Sequence, residues 1–279
     1  MPSATRNYAA AIDALNSLQS NSATIEAIRR SGKTVNELNE PEMTEYLQRI
    51  GHRRDELDRL NVIHITGTKG KGSTAAFCDA LLQKVRPPGA GKIGLYTSPH
   101  MVAARERIRI DGVPISEADF AKFFWEVWDR LEQNPHRALE TTPLRPVYFR
   151  FMTILAFHVF ISLEVSATLL EVGIGGMYDS TNIVQHPVVT GVTALGLDHT
   201  AILGHTLEEV AWQKAGIFKP GIPALSVEQP ENAQAVLQKY AKQVQASSFQ
   251  VVPVNRDLLH VKLGPVSYTH LTLPTIYSV

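Results

Sequence analysis

Apolar residues recur along this chain at two spacings, one typical of helices and the other of strands. In the first sixty residues Tyr8, Ile12, Leu15 and Leu18 repeat at helical spacing, and a second amphipathic run covers 40–60. Further along, short apolar runs alternate with longer amphipathic ones. They predict strands at 63–65, 92–96, 167–172, 188–195, 222–227 and 249–252, and helices at 75–85, 116–131, 148–163, 207–218 and 231–244. This alternation predicts an α/β fold with a mainly parallel sheet flanked by helices on both faces.

The composition narrows the classes of function. The 27 basic and 27 acidic residues among 279 give a formal net charge of zero, so no overall field favours nucleic acid or an anionic membrane. The single cysteine, Cys78, leaves no partner for an internal disulfide and is expected to pack in the interior. Arg150 and His158 interrupt the apolar run at 148–163, which argues against a membrane span. These features predict a cytoplasmic enzyme, with a mitochondrial form left open as an alternative.

The segment 63–74 (IHITGTKGKGST) carries the most information about function. It leads from an apolar run through a glycine-rich turn into a helix-forming run. This order is typical of a phosphate-binding loop, in which backbone N–H groups, a helix N-terminus and a lysine contact the anion. Lys71 is the candidate lysine. The general P-loop spacing requires a glycine where this chain has Ile65, so the loop is a shorter variant.

Three further polar clusters follow predicted strands, at 97–100, 171–182 and 198–199. Ligands bind at the carboxyl ends of strands in open α/β sheets, so these clusters are expected to meet the phosphate loop at one edge. Each also has a purely structural interpretation: a turn at Ser98-Pro99, a flexible glycine loop at 173–176, and a helix cap at Asp198-His199. No convincing helix follows the glycine loop, which argues against a dinucleotide site.

The loop and these clusters resemble the folylpolyglutamate synthases, a branch of the Mur-ligase-like ATP-dependent amide ligases. Two long motifs carry the resemblance, at 63–73 and 169–184 (LLEVGIGGMYDSTNIV), with shorter ones at 96–100, 105–109, 197–200 and 211–219. The resemblance covers the chain from near Arg6 to near Leu263. The loop has Lys69 where bacterial members commonly have Asn, and in this respect it resembles the eukaryotic branch of the family. The implied fold is the P-loop NTPase-like central domain of the Mur ligases.

The resemblance implies the ATP-dependent addition of L-glutamate to the γ-carboxyl group of a reduced folate. ATP converts the carboxylate, a poor electrophile, into an acyl phosphate, and the glutamate amine then displaces phosphate. Mg²⁺, lysine and backbone N–H groups are needed to neutralise the charge of this transfer. The implied ligands are ATP, Mg²⁺ at two sites, reduced folate and L-glutamate, with neither nucleic acid nor a membrane as partner.

The resemblance also implies roles for individual residues. The phosphate-binding set is Gly67, Thr68, Lys69, Gly70, Lys71, Gly72, Ser73 and Thr74. Ser98 and Glu171 correspond to ligands of one Mg²⁺ and His199 to a ligand of a second, although spacing alone indicates a helix cap at His199. Lys214 corresponds to a lysine that the family carbamylates, whereas its local pattern alone favours an exposed lysine. The candidate catalytic residues are Lys71, Glu171, His199 and Lys214.

For the alternating arginines at 105–109, the ordinary interpretation is a solvated strand face, and a contact with the anionic glutamyl tail of folate is the alternative. By the same kind of argument, Asp179, Thr181 and Asn182 are expected to order their loop rather than to take part in the chemistry.

Three segments are predicted: a helical segment at 1–60, a P-loop ATPase and folate-binding domain at 61–263, and an atypical tail at 264–279. The tail has no family motif and no charged residue, so we expect it to be non-native or disordered. The Rossmann-like C-terminal domain of the family is expected to be absent, which predicts weak nucleotide binding and little or no ligase activity. Two alternatives stay open: a dihydrofolate synthase or another Mur-type ligase, and a non-catalytic nucleotide-binding module.

Overall fold

A single eight-stranded sheet organises the protein. The structure is a computed structural model that describes residues 6–19, 39–139 and 142–253. The strand order is β4-β3-β2-β5-β1-β6-β7-β8. The strands are β1 (Val62–Thr66), β2 (Ile93–Tyr96), β3 (Ile108–Ile110), β4 (Val113–Pro114), β5 (Ala167–Glu171), β6 (Val189–Val192), β7 (Pro223–Val227) and β8 (Ser248–Val252). The six strands β2, β5, β1, β6, β7 and β8, in that spatial order, all pair in parallel. At one edge of the sheet, β3 pairs antiparallel with both β2 and β4. The predicted mainly parallel α/β sheet is therefore confirmed.

Helices flank this sheet on both faces, as the alternating pattern predicted. The α-helices are α1 (Tyr8–Asn16), α2 (Asn39–Arg49), α3 (Lys71–Val85), α4 (Glu117–Gln133), α5 (Tyr148–Ser162), α6 (Thr200–Leu203), α7 (Leu207–Ala215) and α8 (Glu231–Gln243). Short 3₁₀ helices span Arg54–Leu60, Ala104–Arg107 and Ser180–Ile183.

Three boundaries differ from the predictions for local reasons. The helical run at 40–60 is divided in two, because Gly51 adopts a φ of 88° and turns the chain between α2 and the following 3₁₀ helix. Helix α3 begins at Lys71, four residues before the predicted start, directly after Gly70. Strand β6 ends at Val192 rather than Leu195, because the carbonyl of Ala194 accepts hydrogen bonds from the glycine-rich loop instead of continuing the ladder.

The sheet separates the buried apolar residues into clusters on its two faces. On one face, α5 packs against the middle strands so closely that a Cβ on Gly94 would lie 2.9 Å from the ring of Phe160. Helices α1, α2 and α4 extend this cluster with large buried side chains such as Tyr46, Phe120 and Phe124. On the opposite face α3 covers the centre of the sheet. Helices α7 and α8 pack on the same face as α5, beside β6–β8. Cys78 of α3 is half-buried in the α3 cluster, in line with a packing role.

Strand β1 is the centre of the parallel array, with β5 on one side and β6 on the other. The carboxyl ends of β1, β2, β5 and β6 therefore lie at the same edge of the sheet. The four polar clusters singled out in the sequence follow these four strands, so their predicted convergence at one edge is confirmed.

Two sequence-based predictions fall partly or wholly on residues for which no structure is described. The tail at 264–279 lies outside the described ranges, and so does 20–38 within the predicted helical segment. Among the residues described, no helix combines the length and apolar character needed to cross a bilayer.

Strand β1 buries a histidine in the middle of the sheet. His64 is fully buried, its Nε2 lies 2.8 Å from Thr181 Oγ1, and its Nδ1 has no hydrogen-bond partner among the described residues. Burial lowers the pKa of His64 to about 3, and the nearby charge of Lys219 acts in the same direction. The imidazole is therefore neutral in the folded protein at neutral and mildly acidic pH.

This neutral histidine predicts a loss of stability in acid. The unfolded chain binds a proton at His64 near pH 6.5 and the folded chain does not, so the free energy of unfolding falls as pH drops below 6.5. At pH 5 the loss from this one group is about 2 kcal/mol. Urea unfolding at pH 7 and pH 5 measures it, and His64→Asn is expected to flatten the pH dependence.

The matched control is His136→Asn, since His136 is exposed on the loop after α4. The control is expected to keep the full pH dependence of the unmodified chain. An equal pH dependence in His64→Asn and His136→Asn would show that His64 does not titrate as argued.

Candidate active site

The glycine-rich loop is fixed in place by its contact with the end of β6. A Cβ on Gly67 would lie 1.9 Å from Thr193 Oγ1, and the φ of Gly67 is 149°. Thr193 Oγ1 lies 2.8 Å from the carbonyl oxygen of Lys69 and 3.2 Å from that of Thr66. The backbone N–H groups of Thr68 and Lys69 both donate to the carbonyl of Ala194, at 2.9 and 3.1 Å. The first half of the loop is thus held by protein contacts.

The second half of the loop is built to face an anion. Gly70 adopts a left-handed conformation, with φ 88° and ψ 0°, and α3 begins at the next residue without a side-chain cap. Among the described residues no acceptor takes the backbone N–H groups of Lys71, Gly72 or Ser73. Three unpaired donors and the positive end of the helix dipole therefore point out of the first turn of α3. This is the geometry of a phosphate cradle.

Two lysines converge on one oxygen of this loop. Lys71 Nζ donates to the carbonyl of Gly67 at 3.0 Å, and Lys214 Nζ of α7 donates to the same carbonyl at 2.9 Å. Both ammonium groups are therefore held against the phosphate loop.

Lys214 is buried, with only 3% of its surface exposed. Burial lowers its pKa to about 8, and the charge of Lys71 lowers it further, while Asp198 and Asp179 act in the opposite direction. The interpretation of Lys214 as an exposed surface lysine, which the local sequence pattern favoured, is therefore wrong. The structure places its ammonium group against the phosphate loop.

Glu171, at the end of β5, lies beside the first turn of α3. Its Oε2 accepts the backbone N–H of Ser98 at 3.0 Å, and a Cβ on Gly72 would lie 3.4 Å from the same oxygen. The side chain is 3% exposed, and burial raises the pKa of Glu171, against the Ser98 N–H and the charge of Lys71, which lower it. A buried carboxylate thus connects the phosphate loop to the turn that follows β2.

A second glycine loop, at 173–176, is ordered by Asp179. Asp179 Oδ2 accepts hydrogen bonds from the backbone N–H groups of Gly173 and Ile174, each at 3.1 Å. Asp179 Oδ1 accepts hydrogen bonds from the backbone N–H and the hydroxyl group of Thr181. Thr66 Oγ1 ties the same loop to β1 by donating to the carbonyl of Gly175 at 2.5 Å. The expected role of Asp179 in ordering this loop is confirmed.

These elements surround a cleft of about 700 Å³. Its charged and polar lining includes Lys71, Ser98, Arg107, Arg150 and His199. Phe149, Val147 and Ile202 add an apolar surface. A wide cleft with an apolar wall and a few converging polar groups is typical of a small-molecule site.

His199 reaches this cleft from the segment after β6. It is the residue before α6, with a φ of 49°, and its side chain is 49% exposed without capping the helix. Of the predicted metal-binding set, Ser98 and His199 therefore line one cleft, and Glu171 is one hydrogen bond from Ser98. Thr68 instead exchanges hydrogen bonds with Gly196, and Lys69 is exposed.

The oxygen groups near Lys71 fit a magnesium ion better than a softer metal. No group of three or more His, Cys, Asp or Glu side chains within the described ranges is close enough to hold a metal by itself. A buried carboxylate beside a serine and a phosphate cradle offers instead a partial oxygen shell. Mg²⁺ is usually bound in that way, through one or two carboxylates together with substrate phosphates and water.

Sequence reasoning did not single out two residues on which the site depends. Thr193 holds the phosphate loop, and Arg107 enters the cleft while its neighbours Arg105 and Arg109 do not line it. A threonine at the end of a predicted central strand was the available signal for Thr193. No local signal distinguishes Arg107 from the other two arginines.

Comparisons with known proteins agree with this geometry. The chain is 49% identical over 265 residues to a folylpolyglutamate synthase of Saccharomyces cerevisiae (strain YJM789), covering 93% of this chain and 48% of the relative. A solved FPGS–AMPPCP–folate complex superposes with a TM-score of 0.70 at 30% identity, over 88% of this chain and 54% of the other. E. coli FolC in complex with DHPP and ADP gives a TM-score of 0.67 at 28% identity, over 90% and 52%.

The extent of these matches is also informative. The chain spans about half the length of the curated relatives that it matches. No protein-family model matches it.

The contact between Gly67 and Thr193 predicts a large penalty for a side chain at position 67. Gly67→Ala is expected to lower the free energy of unfolding by about 3 kcal/mol, because the methyl group adds steric overlap to a backbone conformation that L-residues avoid. Gly89→Ala is the control, since Gly89 also has a positive φ of 81° but has nothing within 4 Å. Its expected loss is about 1 kcal/mol. Equal losses in urea unfolding would contradict the proposed steric role of Thr193.

Proposed function

Because this chain belongs to the folylpolyglutamate synthase family, we propose that it forms the nucleotide-binding half of an ATP-dependent ligase that adds L-glutamate to the γ-carboxyl group of a reduced folate. The observation that carries the proposal is the first turn of α3, where three backbone N–H groups have no acceptor among the described residues and Lys71 lines a cleft near the buried Glu171. The solved relatives bind a nucleotide together with folate in one case and DHPP in another.

The phosphate groups of ATP are proposed to lie in this first turn. The N–H groups of Lys71, Gly72 and Ser73 would donate to phosphate oxygens, and the ammonium group of Lys71 would turn from Gly67 to the terminal phosphate. These donors are fixed before the reaction, so they stabilise the charge that spreads over the transferred phosphoryl group at little reorganisation cost.

Magnesium is proposed to be held by Ser98 and Glu171, with His199 at a second site. When bound, Mg²⁺ would neutralise phosphate charge and align the terminal phosphate with the attacking carboxylate. The protein's part is to keep Glu171 oriented. The N–H of Ser98 fixes Oε2, and the backbone of Gly72 lies beside both carboxylate oxygens.

Nucleotide binding tests this proposal. Titration of the purified chain with Mg-ATP is expected to give saturable binding that Lys71→Ala weakens about tenfold or more, since a charged hydrogen-bond donor to phosphate is lost. Lys84→Ala, which removes a charge from the exposed last turn of the same helix, is expected to bind as the unmodified chain does. Equal affinities for Lys71→Ala and Lys84→Ala would count against the proposed cradle.

Lys214 is proposed to be carbamylated, as the family resemblance implies. In that reaction the neutral amine attacks CO₂, an N–C bond forms, and one proton is released, which leaves a carbamate anion. The pKa of about 8 supports this proposal, because roughly a fifth of Lys214 is then neutral at pH 7.4, far more than of an ordinary lysine. A carbamate beside Lys71 would supply an oxygen donor for the second metal.

Carbon-13 NMR in labelled bicarbonate tests the modification. The chain is expected to show a carbamate signal that Lys214→Arg removes. Lys219 is a matched control because burial also lowers its pKa to about 8, while it lies outside the cleft, with Nζ 3.3 Å from the carbonyl of Asn182. Lys219→Arg is expected to keep the signal. Loss of the signal in Lys219→Arg but not in Lys214→Arg would contradict the proposal, because it would place the carbamate on Lys219.

A further inference from the structure

Two histidines outside the cleft form a hydrogen-bonded relay with a carboxylate of α4. His158 lies within α5 and is 1% exposed. Its Nε2 lies 2.8 Å from Glu126 Oε2, and its Nδ1 lies 2.8 Å from His52 Nε2. His52 follows α2 and turns its other nitrogen, Nδ1, toward Glu56 Oε2 at 3.4 Å. The relay thus joins α4, α5 and the turn that leads from α2 into the 3₁₀ helix Arg54–Leu60.

The carboxylate fixes the position of each proton in this relay. A carboxylate only accepts hydrogen bonds, so the neutral ring of His158 carries its proton on Nε2 and donates to Glu126. His158 Nδ1 is then an acceptor, and the bond between the two rings is donated by His52 Nε2. His52 Nδ1 therefore has no proton and faces Glu56 Oε2, which is another acceptor.

This arrangement has room for one additional proton but not for two. The first can bind at His52 Nδ1, where it would be donated to Glu56. A second can bind only at His158 Nδ1, and it would then point at the proton of His52 Nε2 across a gap of 2.8 Å. Two donors cannot share one hydrogen bond, so the two rings must separate when both are charged.

The surroundings oppose protonation of both rings. Burial lowers the pKa of His52 and lowers that of His158 to about 4, and the guanidinium of Arg130 acts in the same direction. Arg130 is fixed near the pair by a hydrogen bond from its Nη1 to a backbone carbonyl at 2.7 Å. Glu56 favours the charged form of His52, and Glu126 that of His158, but neither outweighs burial. The charged groups that face the pair thus come from α4 and from the 3₁₀ helix.

The relay lies at the end of α5 that is remote from the cleft. Near the cleft, an ion pair between Arg150 and Glu42 links α5 to α2. About two turns further along α5, the relay makes another link, to the turn that follows α2. None of its three side chains lines the cleft. The relay therefore acts on the packing of segment 50–60 and not on the contacts of a bound ligand.

We propose that His52, His158 and Glu126 form a pH-sensitive clasp, which holds segment 50–60 on α5 and opens when both imidazoles are protonated. In the closed state two hydrogen bonds join the three groups. Opening exposes both rings to water, where each binds a proton near pH 6.5. Acid therefore favours the open state, because the open clasp binds more protons than the closed one. This proposal does not depend on the function proposed above.

Amide hydrogen exchange tests the clasp, since it measures local opening segment by segment. Exchange is compared at pH 7 and pH 5, after correction for the intrinsic pH dependence of the exchange chemistry. In the unmodified chain the opening constant of segment 50–60 is expected to rise more than about 25-fold, because each histidine that becomes free to titrate accounts for about 25-fold. His158→Gln leaves one histidine in the clasp and is expected to reduce the rise to about 25-fold or less.

His136→Gln is the matched control, since His136 is exposed on the loop after α4. It is expected to keep the full rise of the unmodified chain. Equal rises in His158→Gln and the unmodified chain, with both folded by thermal unfolding at pH 7, would overturn the clasp.

A second measurement needs no variant. With nitrogen-15-labelled histidine, NMR at pH 7 is expected to show both rings protonated at Nε2 and a scalar coupling across the hydrogen bond from His52 Nε2 to His158 Nδ1. A proton on His158 Nδ1 at pH 7, or the absence of coupling between the two rings, would contradict the proton positions on which the clasp rests and would overturn it.

Discussion

The packing of Gly67 against Thr193 is the constraint on which the rest of the site depends. The absence of a side chain at position 67 lets the loop after β1 lie directly on the end of β6. That contact places the carbonyl of Gly67 between Lys71 and Lys214, and it aims the first turn of α3 at the cleft. A loop held further from β6 would keep the same sequence motif but lose the contact between α7 and the phosphate cradle.

The site concentrates ionisable groups that the protein has withdrawn from water. Three ionisable residues are buried near the same edge of the sheet: Glu171, Asp179 and Lys214. Burial raises the pKa of the two carboxyl groups and lowers that of the lysine, so in each case it favours the neutral form. Interactions between charges are stronger in such surroundings than at an exposed surface. A phosphate group bound at this edge would therefore meet a few fixed charges and dipoles with a large effect on it.

Sequence periodicity predicted the sheet well, because each parallel strand is a short apolar run between helices and the polar clusters follow the strands directly. It could not predict the burial of Lys214, which depends on α7 packing across a loop 147 residues earlier in the chain. It also could not separate Arg107 from Arg105 and Arg109. A strand would place the three on one face, whereas the 3₁₀ helix that ends at Arg107 breaks that period. Family resemblance supplied the proposed roles of Glu171, His199 and Lys214, for which local patterns offered weaker or different interpretations.

The carbonyl shared by Lys71 and Lys214 has a consequence for the order in which this site would assemble. An anion bound at Lys71 favours a positive charge on Lys214, whereas attack on CO₂ requires Lys214 to be neutral. If both proposals hold, phosphate and carbamate would by linkage be antagonists, each lowering the affinity for the other by the same factor. A bound divalent cation would offset this antagonism, because it would be attracted to both anions. The second metal would then act as the element that makes modification and nucleotide binding compatible.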